Sequence, residues 1–264
     1  MDGAAFPDST GARNALRAIL RRDRVIIAAG LFFITSLAWA YTVREARSMD
    51  ELCMHMDRSW NASDVGMTLL MWIVMMVAMM TPSAAPMVLM FATVNEKRRS
   101  EQRPYAPAAF FLGGYLFVWS VFSIAATGVQ WLLHSLALLS PMMVSTSRYF
   151  GGACLMVAGL YQLSPLKTAC LSQCRAPLSF VQRHGGFQAN ARGSLRLGAL
   201  HGLYCVGCCW ALMTLLFVFG VMNILWIAGL AIVVLAERTI PGARYLSMGV
   251  GVALFVVGGR LLVT

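Results

Sequence analysis

The sequence predicts an all-α fold, a polytopic bundle of transmembrane helices. Three observations carry that expectation. Of the 264 residues, 59% are hydrophobic and only 12% are charged, whereas a soluble domain carries roughly 25% charged residues. Uncharged apolar stretches of membrane-crossing length recur from Val25 onward. The net charge of +10 is spread in short basic runs beside those stretches rather than gathered into one surface. That distribution points to a lipid bilayer as partner, with no nucleic acid.

Read in order, residues 1–24 form a basic segment with Arg13, Arg17, Arg21, Arg22 and Arg24, expected to be cytoplasmic. One transmembrane domain covers residues 25–264, with seven spans at about 25–43, 66–94, 107–130, 149–165, 197–218, 221–236 and 243–263. Ala38-Trp39-Ala40 resembles a cleavage site, but the long basic lead and the bulky residues favour an uncleaved anchor. A polar loop, residues 44–65, separates the first two spans. Pro82 and Pro86 are expected to kink the second span. Spans five and six meet at a tight Phe219-Gly220 turn. With the N-terminus inside and the C-terminus outside, sixteen of the 21 basic residues fall on the inner side, as the positive-inside rule demands. The bacterial inner membrane is the expected location. Met71-Trp72 with Met75 and Cys209-Trp210 with Met213 share a W-x-x-M echo on spans two and five. An inverted repeat of three helices would produce it.

The densest chemistry lies in His201-Gly202-Leu203-Tyr204-Cys205-Val206-Gly207-Cys208-Cys209-Trp210. At 100° per residue, His201, Cys205 and Cys208 share an arc of about 60°, and Cys209 widens it to about 100°. Soft thiolates with an imidazole suit Cu(I) first and Zn(II) second. Cys170 and Cys174 follow span four at a spacing compatible with one helical turn or a zinc-type pair, so five sulfurs and His201 can meet at one end of the bundle. Packing is the competing explanation, since a buried free cysteine is also a small hydrophobe, and that suits the isolated Cys154.

Methionine is the second signal. Eleven of the 18 methionines crowd into residues 49–90. Met67, Met71, Met75 and Met79 form an i, i+4 stripe that Met90 continues, and Met76, Met80 and Met87 form another. Thioethers bind Cu(I), though methionine also fills irregular helix interfaces. Before span two, Cys53-Met54-His55-Met56 makes a compact soft-ligand set on the outer side. The ordering draws a route: capture by Met54, His55 and Met56, relay along Met71, Met75 and Met79, and an inner site of Cys170, Cys174, His201, Cys205, Cys208 and Cys209.

Absences narrow the chemistry. No acidic residue sits at mid-span, which argues against a hard-cation channel or a di-iron carboxylate centre. No G-x-x-x-x-G-K-[ST] run is present, so a Walker-type ATPase is excluded. No catalytic residue is assigned.

Three motifs carry a resemblance: Met71-Trp72 with Met75, Met76, Met79, Met80 and Pro82; Tyr161-Gln162 with Pro165, Lys167, Cys170, Cys174 and Arg175; and Gly202 through Trp210. Over about residues 60–240 the chain resembles the bacterial family of predicted metal-binding integral membrane proteins labelled domain of unknown function 2182. The resemblance implies a multi-pass protein with metal ligands, copper foremost, at the Cys and Met positions; it names no reaction. Two functions follow. The first is a Cu(I)-handling protein that moves copper across the membrane or delivers it to a periplasmic or membrane cuproprotein. The second is a thiol-disulfide oxidoreductase using Cys205 and Cys208, coupled to a quinone.

Overall fold

The structure, a computed structural model, describes residues 9–52, 61–102, 106–138, 147–187 and 190–263. Among them every regular element is a helix. The order is α1 Ser9–Leu52, α2 Ala62–Ser100, α3 Ala108–Ser135, α4 Arg148–Leu163, α5 Pro165–Arg175, α6 Pro177–Arg183, α7 Ala191–Thr214, α8 Leu216–Phe219, α9 Ile224–Thr239 and α10 Arg244–Val263.

Five stretches are long and apolar enough to cross a membrane: Arg24–Ser48, Ala62–Arg99, Ala108–Ser135, Ala191–Phe219 and Arg244–Val263. Seven spans are expected from the sequence, whereas among the described residues five helices reach that length and apolarity. The other two expected spans are α4 and α9, of 16 residues each. At 1.5 Å per residue each reaches ~24 Å, short of a hydrocarbon core of ~30 Å. Proline sets both lengths. Pro165 opens α5 directly after the Ser164 cap, and Pro241 follows the end of α9.

The first loop also needs correction. Helix α1 begins at Ser9, inside the basic segment, and runs through the start of the expected loop to Leu52. No Gly or Pro interrupts residues 31–52, so nothing local stops the helix at residue 43. Helix α2 starts where its sequence says it should. Asn61 caps the Asp64 amide, and the Asp64 carboxylate accepts from the Asn61 amide at 3.0 Å. It continues through Pro82 and Pro86. Just before them the Met80 carbonyl accepts from Ser83 Oγ at 2.7 Å and from Tyr115 Oη at 3.1 Å.

Helices α2 and α7 are central. They bury 50% and 56% of their most apolar windows, against 17% for α1 and α10. Helix α1 packs along α2, α3 along α7, and α4 along α10. The α3–α7 contact depends on the absence of side chains. A Cβ on Gly198 would fall inside the Phe111 carbonyl, and one on Gly114 would strike the Leu195 carbonyl. The α4–α10 contact uses the same device, with Gly159 against the Gly251 carbonyl. Residues of α2 and α7 then share one core, in which Met71, Trp72, Met75, Met76, Met79 and Met80 lie with Cys205, Cys208 and Cys209. The W-x-x-M echo divides here. Trp72 is sealed and donates to Gln130 Oε1 at 2.6 Å, whereas Trp210 is 37% exposed and edge-on to Tyr161.

Candidate functional site

The expected face of α7 is real: His201, Cys205, Cys208 and Cys209 are all buried. Their thiols turn inward on the helix itself. Cys208 and Cys209 donate to the Cys205 carbonyl at 3.1 and 3.0 Å. Cys205 Sγ lies 2.9 Å from Tyr115 Oη on α3.

A residue that no sequence pattern singled out completes the group. Arg238, from the last turn of α9, reaches in with Nη2 at 2.9 Å from Cys205 Sγ, 3.2 Å from Cys208 Sγ and 3.9 Å from Cys209 Sγ. The same nitrogen donates to the Cys205 carbonyl at 3.4 Å, and Nη1 donates to Ser83 Oγ of α2 at 2.6 Å. Arg238 is only 7% exposed, and its Nε has no partner. By the positive-inside rule alone it is one more basic residue at the inner end of a span. Its position three residues before Pro241, beside Glu237, reads equally as a helix end in water. The one available signal was an acidic and a basic residue side by side at the end of an otherwise apolar segment.

Helix α5 brings the other two cysteines. Cys174 stands within hydrogen-bonding reach of Cys208; that contact, followed by burial, pushes its thiol pKa well up. Cys170 lies against α7 where Gly207 leaves room: a Cβ there would be 3.0 Å from Cys170 Sγ. Burial raises the Cys170 thiol as well. Five sulfurs thus gather around residues 205–209 of α7. Among the described residues, however, no three His, Cys, Asp or Glu side chains converge as a closed metal centre. A guanidinium lies among the sulfurs instead.

His201 stands one turn before Cys205, and its ring is boxed by Phe180 at 5.2 Å and by Phe111 and Tyr115 at 5.8 Å between centroids. Its buried Nδ1 has no hydrogen-bond partner. A ring nitrogen left unsatisfied in an apolar box has a standing desolvation cost, which a ligand could remove.

Of the methionine stripe, Met71, Met75 and Met79 are buried in the core that holds the thiols. Met67 is 61% exposed and lies off that line. Met87 and Met90 belong to a different core, with Phe91, Phe111 and Phe180. The outer set Cys53, Met54, His55 and Met56 lies outside the described residues.

Beside the thiols lies a second buried polar group. Lys167 and Glu237 form an ion pair at 2.6 Å with side chains 1% and 2% exposed. Gln162 Nε2 and Ser247 Oγ each donate to Glu237 Oε1 at 2.9 Å, and Lys167 also donates to Gln162 Oε1.

Fold and site define an all-helical protein of membrane-crossing dimensions with sulfur donors buried in its core. The chain belongs to the PpoB2 copper chaperone family, whose profile matches residues 69–261. That match takes in the thiols, Tyr115, Ser83 and Arg238, so the metal-binding resemblance stands as a copper-related one. No curated protein and no solved structure matches the chain.

Proposed function

We propose that this chain is a multi-pass protein of the bacterial inner membrane that carries Cu(I) on sulfur ligands and delivers it to a cuproprotein partner. This reading extends the copper relationship to a mechanism, and includes the finer family resemblance and the N-in, C-out orientation. Cys205 and Cys208 are the first ligands, with Cys174 and Cys209 as exchange partners. Met71, Met75 and Met79 are the relay on the other side of the shared core, and Met54, His55 and Met56 are the outer capture set.

One observation carries the reading: a buried guanidinium in contact with Cys205 and Cys208 Sγ. Two thiolates and Cu(I) make a complex of net charge −1. Burying such an anion alone costs several kcal/mol. A fixed cation beside the sulfurs brings the total to neutral. Before copper arrives, the same cation faces the sulfurs directly; afterwards it stays as counter-ion, anchored by Ser83. Cargo can then enter and leave by exchange between soft two- and three-coordinate sites, without hydrolysis of a nucleotide.

The experiment is copper content after anaerobic purification, comparing the wild type with Cys205→Ser/Cys208→Ser and with Cys154→Ser as control. Near-stoichiometric copper in wild type and control, lost from a folded double variant, is the expected result. Equal copper in all three overturns the assignment. The same arginine contact also suits a reactive thiol. A protein that takes up neither copper nor zinc but forms a quinone-dependent Cys205–Cys208 disulfide would therefore be an oxidoreductase.

A further inference from the structure

A cavity of about 720 Å³ lies beside the Lys167–Glu237 pair, along α5 from Pro165 to Arg175 and against the first turn of α10. Its volume falls within the range of ~300–1,000 Å³ typical of small-molecule sites. Arg175 and Arg244 line it, and Lys167 forms part of its wall. The charges do not cancel. Lys167 is matched by Glu237. Arg175 and Arg244 have no carboxylate partner among the described residues. Arg175 Nη2 donates to the Ile240 carbonyl at 2.6 Å, which orients the guanidinium and leaves its other N–H groups available. The first turn of α10 also borders the space and presents the positive end of its helix dipole, whereas both ends of α5 line it. The Lys167 amide is already taken by Ser164 Oγ. Leu163, Leu171 and Met248 supply an apolar wall beside the cations.

We infer that this cavity binds a phosphate-bearing anion. Two unpaired guanidiniums match the planar, two-point hydrogen bonding that phosphate oxygens offer. The apolar wall fits a ligand with a hydrocarbon part, as a phospholipid headgroup has, and inorganic phosphate shares the same anionic chemistry. None of the five clustered cysteines lines the cavity, although Arg175 adjoins Cys174 in the chain, and the site does not depend on the copper reading.

The test uses the full chain in detergent, titrated separately with phosphatidylglycerol, phosphatidylcholine and inorganic phosphate, with the unfolding midpoint as readout. Saturable stabilisation by phosphatidylglycerol at concentrations at least about tenfold below phosphatidylcholine identifies a lipid headgroup. Saturable stabilisation by inorganic phosphate identifies a soluble anion. In either case Arg175→Gln/Arg244→Gln is expected to raise the half-saturating concentration at least about tenfold, and Arg175→Lys/Arg244→Lys to raise it less. Lack of saturation by all three, equal response to the two lipids without a phosphate response, or an unchanged response in the Gln variant overturns the site. Should the Gln variant not fold, the lipid comparison on the wild type decides.

Discussion

Glu237 and Arg238 are neighbours on α9, 2% and 7% exposed, and about 100° of helical turn sends them into different surroundings. Glu237 meets Lys167, Gln162 and Ser247, so its carboxylate has a counter-charge and further hydrogen bonds. Arg238 meets sulfur, a serine hydroxyl and a carbonyl, and no carboxylate among the described residues. The first arrangement is closed: every partner it needs is already in place. The second is open, because thiols take a proton or a soft metal in place of the guanidinium's charge. A closed pair serves the fold by tying α5, α9 and α10 together. An open cation serves a site whose charge changes.

Removing Glu237 should have the largest effect on stability. Glu237→Gln leaves Lys167 buried without its counter-charge, and breaking a buried pair in this way costs about 3–5 kcal/mol. Thermal or denaturant unfolding in detergent would measure it. The pair Lys167→Met/Glu237→Leu removes both charges and should recover most of the loss, since an apolar replacement of similar volume is often neutral. If the single variant unfolds no more easily than wild type, the pair does not hold the helices together as argued.

The sequence was most informative where the physics is local. The shared face of His201, Cys205, Cys208 and Cys209 follows from helical period alone, and all four are buried. The bounds of α3 and α10 and the turn after Phe219 follow from apolar length and glycine. Long-range contact was not legible. Arg238 meets Cys205 across 33 residues and Ser83 across 155, and nothing in a linear pattern distinguishes a basic residue in water from one folded back onto sulfur. The same holds for Lys167 and Glu237, 70 residues apart. Hydropathy marked apolar segments at 149–165 and 221–236 without weighing their length; both stop at or before Pro165 and Pro241, and α4 and α9 are 16 residues each. The methionine stripe was half right: period placed Met71, Met75 and Met79 on one line, but only packing shows that Met67 points away from the core.

Arg238→Gln sharpens the comparison from the other side. Thiols can shed charge by holding their protons, so the fold should lose no more than about 1.5 kcal/mol. Copper should respond more. Without the guanidinium the cuprous dithiolate is a buried anion, and Cu(I) affinity is expected to fall at least about tenfold, or ~1.4 kcal/mol. Competition with a chromogenic Cu(I) chelator would read this directly. Arg238→Lys keeps the charge but loses the forked contact with two sulfurs, and should fall between wild type and Gln. Tighter copper binding by the Gln variant would mean that the guanidinium competes with the metal rather than compensating it.

The smallest effect belongs to Ser83, which separates position from charge. Its Oγ accepts from Arg238 Nη1 at 2.6 Å while donating to the Met80 carbonyl at 2.7 Å, so it links α2 to the cation beside the α7 thiols. Ser83→Ala keeps the guanidinium and its sulfur contacts and removes the anchor together with the hydroxyl's bond to the Met80 carbonyl. Each hydrogen bond of this kind contributes about 1 kcal/mol to stability. If Arg238 acts through its charge, the variant should keep copper affinity within about threefold of wild type, well short of the Arg238→Gln loss. If Ser83→Ala weakens copper as much as Arg238→Gln does, placement of the guanidinium matters as much as its presence, and Ser83 is a positioning residue for the site. Tyr115→Phe provides the matching control on α3, since it removes the hydroxyl 2.9 Å from Cys205 Sγ without touching the cation. An effect confined to Tyr115→Phe would move the explanation from charge compensation to hydrogen bonding at Cys205 itself.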